Sequence, residues 1–253
     1  MSRDAAPETG VPARPAHGKH SVEERIARLE KELASARRKL EIVGSVTRHD
    51  VLNQLTAIIG FNELMRMMVQ DPKLQNYVEK EKQAIDRIRV QFQYAKDYQN
   101  IGVEAPRWQH IRNLVGIVTE DCMEKGVRIL TDTGDAAVLA DPLLDKAFHY
   151  LFSDALCQDT KVSEIRVSLI LAGERTVLLM ENNGAGIPPE EKSRIFDRGY
   201  GSSASWGLFL AREILAVTGI TIAETGDPGR GIRFEILFPS DMVQLNIGDT
   251  GGT

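Results

Sequence analysis

Cysteine, excess charge and long apolar runs are all scarce in this chain of 253 residues. The two cysteines, Cys122 and Cys157, lie in no Cys-x-x-Cys or Cys/His spacing, which predicts buried reduced thiols. The net charge of -5 gives no electrostatic case for nucleic acid or an anionic membrane as a partner. No apolar run is long enough to cross a bilayer, and no apolar signal core follows the N-terminus. We therefore expect a soluble cytoplasmic protein without membrane insertion.

The N-terminal region divides into a tail and a helix. Residues 1–20 contain Pro, Ala and Gly without an apolar period, which predicts a disordered tail. Ser21, followed by Glu24, forms a capping-box pattern and predicts a helix start. Beyond it, apolar residues recur every seven positions in two series: Ile26, Leu33, Leu40 and Leu29, Ala36, Val43. This spacing favours a coiled-coil helix over residues 21–45, with a solvated single helix as the alternative.

Two further amphipathic segments predict a helical hairpin over residues 46–102. The first segment stops at Asp71 and Pro72, a stop and turn signal. The second has apolar residues at helical spacing: Leu74, Val78, Ile85, Ile88 and Phe92. A lone hairpin buries only one side of each helix, and the heptads lead directly into it. We therefore expect a parallel homodimer in which two hairpins form a four-helix bundle.

Beyond a predicted boundary at residues 102–106, strand and helix patterns mix. Helices are expected over residues 108–124, 141–157 and 207–218, with a short helical piece in the loop 182–205. Strands are expected over residues 127–130, 138–140, 165–171, 176–180, 220–223 and 232–238. Together they predict an α+β fold, in which helices cover one face of a mixed sheet in a two-layer sandwich over residues 107–240. Residues 241–253 are expected to form a frayed tail.

His49 is the histidine with a chemically informative context. Asp50 follows it and can hold or remove an imidazole proton, which leaves the other ring nitrogen nucleophilic. Asn53 lies one helical turn further on the same face, where its amide can orient a water near a phosphorylated imidazole. A long packed helix is a rigid platform for such a site. The set indicates a phosphoacceptor, and a structural histidine is the alternative.

Residues 49–56, His-Asp-Val-Leu-Asn-Gln-Leu-Thr, resemble the phosphoacceptor box of sensor histidine kinases. Residues 107–239 resemble their ATP-binding domain through ordered matches at 140–144, 182–186, 195–201, 206–212 and 231–239. The resemblance implies that His49 is the phosphoacceptor and Asp50 its acid/base partner. Asn53 then stands where family members assist dephosphorylation of a response regulator. ATP and Mg²⁺ are the implied cofactors, and a response regulator receiver domain is the implied partner.

The resemblance also assigns nucleotide-binding roles to Asp154, Asn182, Gly184, Gly186, Gly201 and Gly207. Two positions of the family's asparagine box fall on Tyr150 and Asp154, and Asp154 retains a carboxylate that suits Mg²⁺. Asn182 replaces the aspartate that recognises adenine, so one hydrogen bond can survive without its charge assistance. Ser205 replaces a glycine of the lid, which removes a flexible hinge.

Two functions follow from these patterns. The first is ATP-dependent autophosphorylation of His49 and transfer of the phosphoryl group to a response regulator aspartate. The alternative is a catalytically impaired pseudokinase that acts as a dimeric phosphotransfer or docking scaffold. Tyr150, Asn182 and Ser205 favour the alternative, because a positioned metal and a cationic clamp supply much of the catalysis of phosphoryl transfer. A purely structural coiled-coil protein does not explain the ordered matches after Trp108.

Overall fold

The computed structural model describes residues 17–157, 162–172, 175–200 and 206–246. The chain forms two compact units, Met1–Gln54 and Leu55–Thr253. Helix α1 (His17–Met68) begins four residues before Ser21. The predicted N-cap at Ser21 is therefore wrong, because the residues before it already have helical geometry. The rest of the predicted tail, residues 1–16, lies outside the described residues.

The first unit contains the heptad segment of α1. Its apolar positions are exposed within the single chain: Ile26 is 50 % exposed, Leu33 54 % and Leu40 68 %. A helix that carries an apolar stripe along a polar surface can bury that stripe only against another element. The heptads therefore remain available for association between chains.

The second unit begins with the remainder of α1 and helix α2 (Pro72–Asn100). Asp71 caps α2, since its side chain accepts hydrogen bonds from the backbone N–H groups of Lys73 and Leu74. Asn62 of α1 is buried and donates to the carbonyl oxygen of Val78 at 3.0 Å. This contact spans the turn at residues 69–71 and makes α1 and α2 antiparallel in this unit. The helical hairpin expected from the turn signal is present.

The sandwich contains the remaining elements of the described chain. In order they are β1 (Arg107–His110), α3 (Ile111–Glu124), β2 (Arg128–Asp132), β3 (Asp135–Ala140), α4 (Leu144–Cys157), β4 (Glu164–Ala172), β5 (Arg175–Asn182), α5 (Trp206–Ala216), β6 (Thr221–Glu224), β7 (Arg233–Phe238), a 3-10 helix (Ser240–Met242) and β8 (Val243–Asn246).

A five-stranded sheet of order β2-β4-β5-β7-β6 forms one layer. The β2–β4 pair is parallel and the other pairs are antiparallel. Val167 of β4 lies opposite Met180 of β5, which lies opposite Phe234 of β7, and all three are buried. Because side chains alternate along a strand, this row faces the core shared with α3, α4 and α5. The predicted two-layer α+β sandwich is confirmed.

The other face of the same sheet carries a charged row as well as the apolar row of Ile170, Val177 and Leu237. Arg166 lies opposite Glu181, and Glu181 lies opposite Arg233, whose Nε is 3.6 Å from a Glu181 carboxylate oxygen. Opposite charges on neighbouring strands support strand pairing while the face stays in water. The helices pack on the opposite face, where the buried row through Val167, Met180 and Phe234 lies.

Three local predictions are wrong. Residues 108–110 belong to β1, because they pair antiparallel with β3, with Trp108 opposite Leu139. Residues 243–246 are not a frayed tail, since β8 pairs with the other edge of β3 and completes a second sheet of order β1-β3-β8. The short helical piece expected within 182–205 is a series of turns over residues 189–199. Strand pairing and local turns override the apolar spacing in these segments.

No helix in the described ranges is long and apolar enough to span a lipid bilayer.

Candidate functional site

The predicted phosphoacceptor residues lie together on α1, in the first unit. His49 Nδ1 is 3.2 Å from a carboxylate oxygen of Asp50. Asn53 Nδ2 is 3.3 Å from His49 Nδ1 and 3.5 Å from Nε2. Asn53, four positions on, reaches the ring because a helix turns every 3.6 residues, and Asp50 reaches it as the adjacent residue. Local helical geometry alone therefore assembles this site.

The contact with Asp50 sets the chemistry of the imidazole. A proton on Nδ1 can be donated to the neighbouring carboxylate, which favours the tautomer whose Nε2 carries a lone pair. The His49 side chain is 74 % exposed and the Asp50 side chain 72 %, so solvent screens the attraction between them. The NH₂ group of Asn53 lies 3.3 Å from Nδ1 and 3.5 Å from Nε2, and in this tautomer only the Nε2 lone pair can accept from it, at the long limit of hydrogen-bond distance. The site thus presents a basic nitrogen on an accessible ring.

A surface cavity of about 380 Å³ lies beside this histidine. Asp50, Val51, Asn53 and Gln54 line it. The volume falls within the range of small-ligand sites, roughly 300–1,000 Å³. The cavity lies on the side of α1 that carries Asp50 and Gln54, and His49 is not one of the residues that line it.

In the second unit, Asn182 ends β5 and begins the glycine loop. It is buried, and its Nδ2 donates to the carbonyl oxygen of Ala155 at 2.8 Å. Its Oδ1 accepts from the backbone N–H of Ile232 at 2.8 Å and of Gly184 at 3.1 Å. A carbonyl oxygen has two lone pairs, and both are used here. Instead of presenting a carbonyl group toward a ligand, Asn182 joins α4, β5 and the loop before β7.

The shape of the glycine loop depends on close backbone approach. Gly186 has a φ of +77°, and a Cβ there would lie 2.8 Å from the carbonyl oxygen of Gly231 and 3.1 Å from that of Asp227. Only glycine combines this conformation with this approach. Gly184 takes part through its N–H, which binds Asn182. These contacts give both predicted glycines a structural role in holding the loop against residues 227–231.

Tyr150 lies where the resemblance places the first box asparagine. It is buried on α4, and its hydroxyl donates to Asp97 of α2. Its ring meets Tyr94 edge-on at 5.3 Å between centroids. Burial, and then the hydrogen bond to Asp97, raise the pKa of the Tyr150 phenol far above its ordinary value. The phenol is therefore a neutral hydrogen-bond donor at any physiological pH.

Asp154 follows Tyr150 by one turn of α4 and is half-buried. Its carboxylate is of the hard oxygen type that Mg²⁺ prefers. Within the described ranges, no group of three or more His, Cys, Asp or Glu side chains is placed to hold a metal ion. Since Mg²⁺ usually takes one or two carboxylates and completes its shell with phosphate and water, a single aspartate is compatible with it.

Of the predicted lid segment, the structure describes residues 195–200 and the start of α5 at Trp206. Gly207 lies in the first turn of α5, where an added Cβ would be 3.4 Å from Tyr150 Cβ. Gly207 thus lets α5 pack closely on α4. Arg198 stacks over the ring of Trp206, with its guanidinium carbon 4.4 Å from the centroid. Gly201 and Ser205, both assigned from the sequence, lie outside the described residues.

An ion pair holds the segment after the glycine loop. Lys192 Nζ is 2.9 Å from an oxygen of Glu224, a contact without the geometry of a directed hydrogen bond, and it also donates to the Gly226 carbonyl. The second oxygen of Glu224 accepts from the N–H groups of Gly226 and Arg233. The Glu224 side chain is fully buried, so its charge requires these partners. The ion pair fastens the segment to the β6–β7 connection.

Asp97, Lys192 and Glu224 are buried or paired residues that the sequence did not predict. Asp97 had a signal, because it shares a helical stripe with Tyr94 and Ile101, three residues before it and four after. A carboxylate on an apolar stripe needs a buried donor. Lys192 and Glu224 are 32 positions apart and carry no local pattern that would pair them.

Residues 132–242 match the family described as histidine kinase-, DNA gyrase B- and HSP90-like ATPase. The match extends from the end of β2 to the 3-10 helix and includes α4, the glycine loop and α5. Over these residues the sandwich therefore resembles the ATPase domain of this family.

Curated relatives are sensor proteins. Alginate biosynthesis sensor protein KinB of Pseudomonas aeruginosa is 32 % identical over 102 residues, which cover 38 % of this chain and 17 % of the relative. Sensor protein BceS of Bacillus subtilis is 30 % identical over 135 residues, covering 47 % and 38 %. Sensor protein RstB of Escherichia coli is 30 % identical over 152 residues, covering 54 % and 33 %. The chain therefore spans well under half the length of these relatives.

A solved structure shares the fold. Full-length ShkA in complex with AMPPNP superposes with a TM-score of 0.57 at 17 % identity, covering 78 % of this chain and 45 % of that one. Identity this low carries information on the fold alone. With the family match and the curated relatives, it confirms the resemblance: this chain is related to sensor histidine kinases and carries their type of ATPase domain.

Proposed function

We propose that this chain is the kinase core of a two-component system, which transfers the γ-phosphoryl group of ATP to His49 and then to a response regulator aspartate. The observation that carries the proposal is the exposed His49–Asp50 pair on a helix of the same chain as a histidine kinase-type ATPase domain. Two-component signalling needs both parts, a phosphoacceptor and a nucleotide domain.

In the first step, Nε2 of His49 is the nucleophile. Its lone pair forms a bond to the γ-phosphorus while the bond from that phosphorus to the bridging oxygen breaks, and ADP leaves with the electron pair. Asp50, whose carboxylate oxygen lies 3.2 Å from Nδ1, accepts the Nδ1 proton in a hydrogen bond and stabilises the positive charge that develops on the ring. In the second step a carboxylate oxygen of the receiver aspartate forms a bond to the phosphorus. The bond from phosphorus to Nε2 breaks at the same time, and the nitrogen recovers its lone pair.

The nucleotide domain would supply position and charge compensation. Asp154 is the side chain that would hold Mg²⁺, whose bound charge would neutralise developing negative charge on the phosphates. Gly184, Gly186, Gly201 and Gly207 are the positions at which backbone would approach the nucleotide. ATP is the donor named by the family and by the nucleotide analogue in the ShkA structure.

The assembly we propose is a parallel homodimer. Ile26, Leu33 and Leu40 expose an apolar stripe with heptad spacing on α1, which a second copy would bury. The partner of the reaction would be a receiver domain, as the sensor proteins among the relatives suggest. A cytoplasmic location stays a prediction.

A second function is favoured by two side chains of the nucleotide domain. Tyr150 binds Asp97 of α2, and Asn182 uses both lone pairs of its carbonyl oxygen on backbone N–H groups. Neither side chain is then available for a nucleotide in the manner of the family's residues. A phosphotransfer or docking scaffold with weakened ATP binding would keep His49 as acceptor and take its phosphate from a partner.

Incubation of the full chain with γ-labelled ATP and Mg²⁺ tests the kinase. We expect acid-labile label that disappears in His49→Ala. His110→Ala is the matched control, because His110 also lies 3.2 Å from a carboxylate, that of Asp135. Loss of label in His49→Ala with retention in His110→Ala supports the proposal. Equal labelling of both variants contradicts it.

A second donor separates the two functions. Phosphoramidate, a small nucleotide-independent phosphoryl donor, would label His49 in either case. Label from phosphoramidate but none from millimolar ATP identifies the scaffold. Label from neither donor at His49 would contradict both functions.

A further inference from the structure

A buried carboxylate links the helical hairpin to the sandwich. Asp97, near the end of α2, is 3 % exposed. One of its oxygens accepts from Gln93 Nε2 at 2.8 Å, and the other accepts from the Tyr150 hydroxyl of α4. Tyr94, one turn earlier on α2, covers the Tyr150 ring edge-on. An aromatic pair and a hydrogen bond to a carboxylate thus join α2 to α4, although Asp97 and Tyr150 lie 53 residues apart in sequence.

Two flanking contacts also join the end of α2 to the helical layer of the sandwich. Tyr98 packs on Phe209 of α5, with ring centroids 5.9 Å apart. The N–H of Gly102, just after α2, donates to a carboxylate oxygen of Asp141 at 2.8 Å. Asp141 is 1 % exposed, and its other oxygen accepts from Leu143 N at the start of α4. The end of α2 is therefore hydrogen-bonded to the residues just before α4 and to the middle of α4, and it packs on the first turn of α5.

The carboxylate makes this connection difficult to open. A buried carboxylate is costly unless donors satisfy it, and hydrogen bonds to a charged group are stronger than those between neutral groups. Removing the Tyr150 hydroxyl leaves one Asp97 oxygen without this donor. Keeping the ring preserves the packing on Tyr94 and Gly207. The hydrogen bond can therefore be tested apart from the packing.

We propose that Asp97 and Tyr150 form a clamp that fastens the last turn of α2 to α4 and α5 without any ligand. While the clamp is closed, a displacement of α2 carries α4 and the first turn of α5 with it. Asp154 and Gly207 lie on these two helices, so the clamp sets their position relative to the hairpin. The clamp does not depend on the proposed function, because protein side chains alone form it.

Amide hydrogen exchange of the full chain tests the clamp. In Tyr150→Phe and in Asp97→Ala we expect the amides of residues 97–103 to exchange about ten-fold faster or more. Amides in the centre of β5, around Leu178, report global unfolding and should change by a smaller factor. Asp86→Ala and Tyr77→Phe are matched controls, since both residues are exposed on α2. In these two variants the amides of residues 97–103 should exchange as in the parent protein.

The double variant and a conservative variant complete the test. The effect of Asp97→Ala with Tyr150→Phe should not exceed that of Asp97→Ala alone, because both changes remove the bond between Asp97 and Tyr150 and only Asp97→Ala also removes the bond from Gln93. Asp97→Asn keeps an acceptor for the phenol and should recover part of the protection. Unchanged exchange at residues 97–103 in both single variants would overturn the clamp. An equal rise at residues 97–103 and in β5 would also overturn it, since the bond would then stabilise the whole unit rather than this junction.

Discussion

Asn182 uses both ends of its amide inside the protein. The NH₂ group binds α4 and the carbonyl group binds the loop before β7, so the residue ties together three segments around the glycine loop. An aspartate at this position offers two acceptor oxygens and no donor. The identity of residue 182 is therefore set by a donor requirement at the Ala155 carbonyl as well as by any ligand.

Asn182→Asp should destabilise the second unit. The carboxylate would face the Ala155 carbonyl oxygen without a hydrogen atom between them, in a site that is only 8 % exposed. We expect the free energy of unfolding to fall by about 1–3 kcal/mol, measured by urea denaturation at pH 7. Asn183→Asp is the matched control, because Asn183 is exposed and its NH₂ partner, the Ser163 hydroxyl, can donate instead. Equal stability of the two variants would refute this account.

Tyr150 should make stability sensitive to alkaline pH. Burial and the bond to Asp97 raise its pKa above 10.0 in the fold, with Tyr94 and Asp145 the other titratable groups that raise it. The folded state favours the neutral phenol. Its contribution to the free energy of unfolding is therefore complete below the unfolded pKa of about 10 and is lost as pH rises further.

Tyr150→Phe removes this titration. Urea denaturation between pH 8 and pH 11 should show the parent protein losing stability more steeply than the variant above pH 10. Above pH 10, the difference in free energy of unfolding between the parent protein and Tyr150→Phe should shrink by up to about 1.4 kcal/mol per pH unit. A difference that stays constant across the range would show that Tyr150 ionises equally in both states.

At the scale of elements, the connection between β6 and β7 is held by glycine backbone. Gly231 has a φ of +108°, and a Cβ there would lie 1.9 Å from the carbonyl oxygen of Asn182. This approach lets the loop close on the end of β5 and brings the Ile232 N–H to the Asn182 side chain. The contact couples the glycine loop to the connection between β6 and β7.

Gly231→Ala should lower the free energy of unfolding far more than Gly229→Ala. Both glycines have positive φ, but an added Cβ at Gly229 would meet nothing within 4 Å. Gly229→Ala therefore carries only the backbone penalty of about 1–2 kcal/mol. Gly231→Ala adds a clash with backbone, and we expect more than about 4 kcal/mol or loss of a cooperative urea transition. Similar midpoints for the two variants would mean that the loop yields freely.

The first helical turns of the sandwich illustrate where local pattern is insufficient. Trp108 falls in an apolar pattern that suits a helix, yet residues 107–110 pair with β3. The helix starts only at Ile111, after the strand ends. A strand of four residues has few side chains with which to display alternation, so its partner decides its conformation.

At the scale of the whole molecule, the heptad stripe predicts how chains associate. Leu33→Lys would place a charge in the proposed helix–helix seam, whereas Ala34→Lys places the same charge one position away, outside the seam. Sedimentation equilibrium should show the dimer dissociation constant rising about 10- to 100-fold in Leu33→Lys, because a lysine in the seam loses hydration without a partner. Ala34→Lys should associate like the parent chain. Equal weakening by both lysines, or a monomeric parent, would exclude the coiled-coil dimer.

Local geometry is what the amino-acid order determined by itself. The heptads, the turn capped by Asp71 and the grouping of His49 with Asp50 and Asn53 depend on neighbours within one or two helical turns. The helical period is the same in every protein, so a pattern read along the chain predicts these features. The order of glycine loop, lid and final strand was recognisable through its resemblance to the ATP-binding domain of sensor histidine kinases.

Partner choice across long separations was decided only by the tertiary structure. Tyr150 meets Asp97, Asn182 meets Ala155 and Ile232, and Lys192 meets Glu224 because the helical layer and the sheet stack in one particular register. Nothing in a local pattern names a partner 27 to 53 residues away. Each of these buried polar groups must be satisfied, and which group satisfies it depends on which surfaces the packed core brings together.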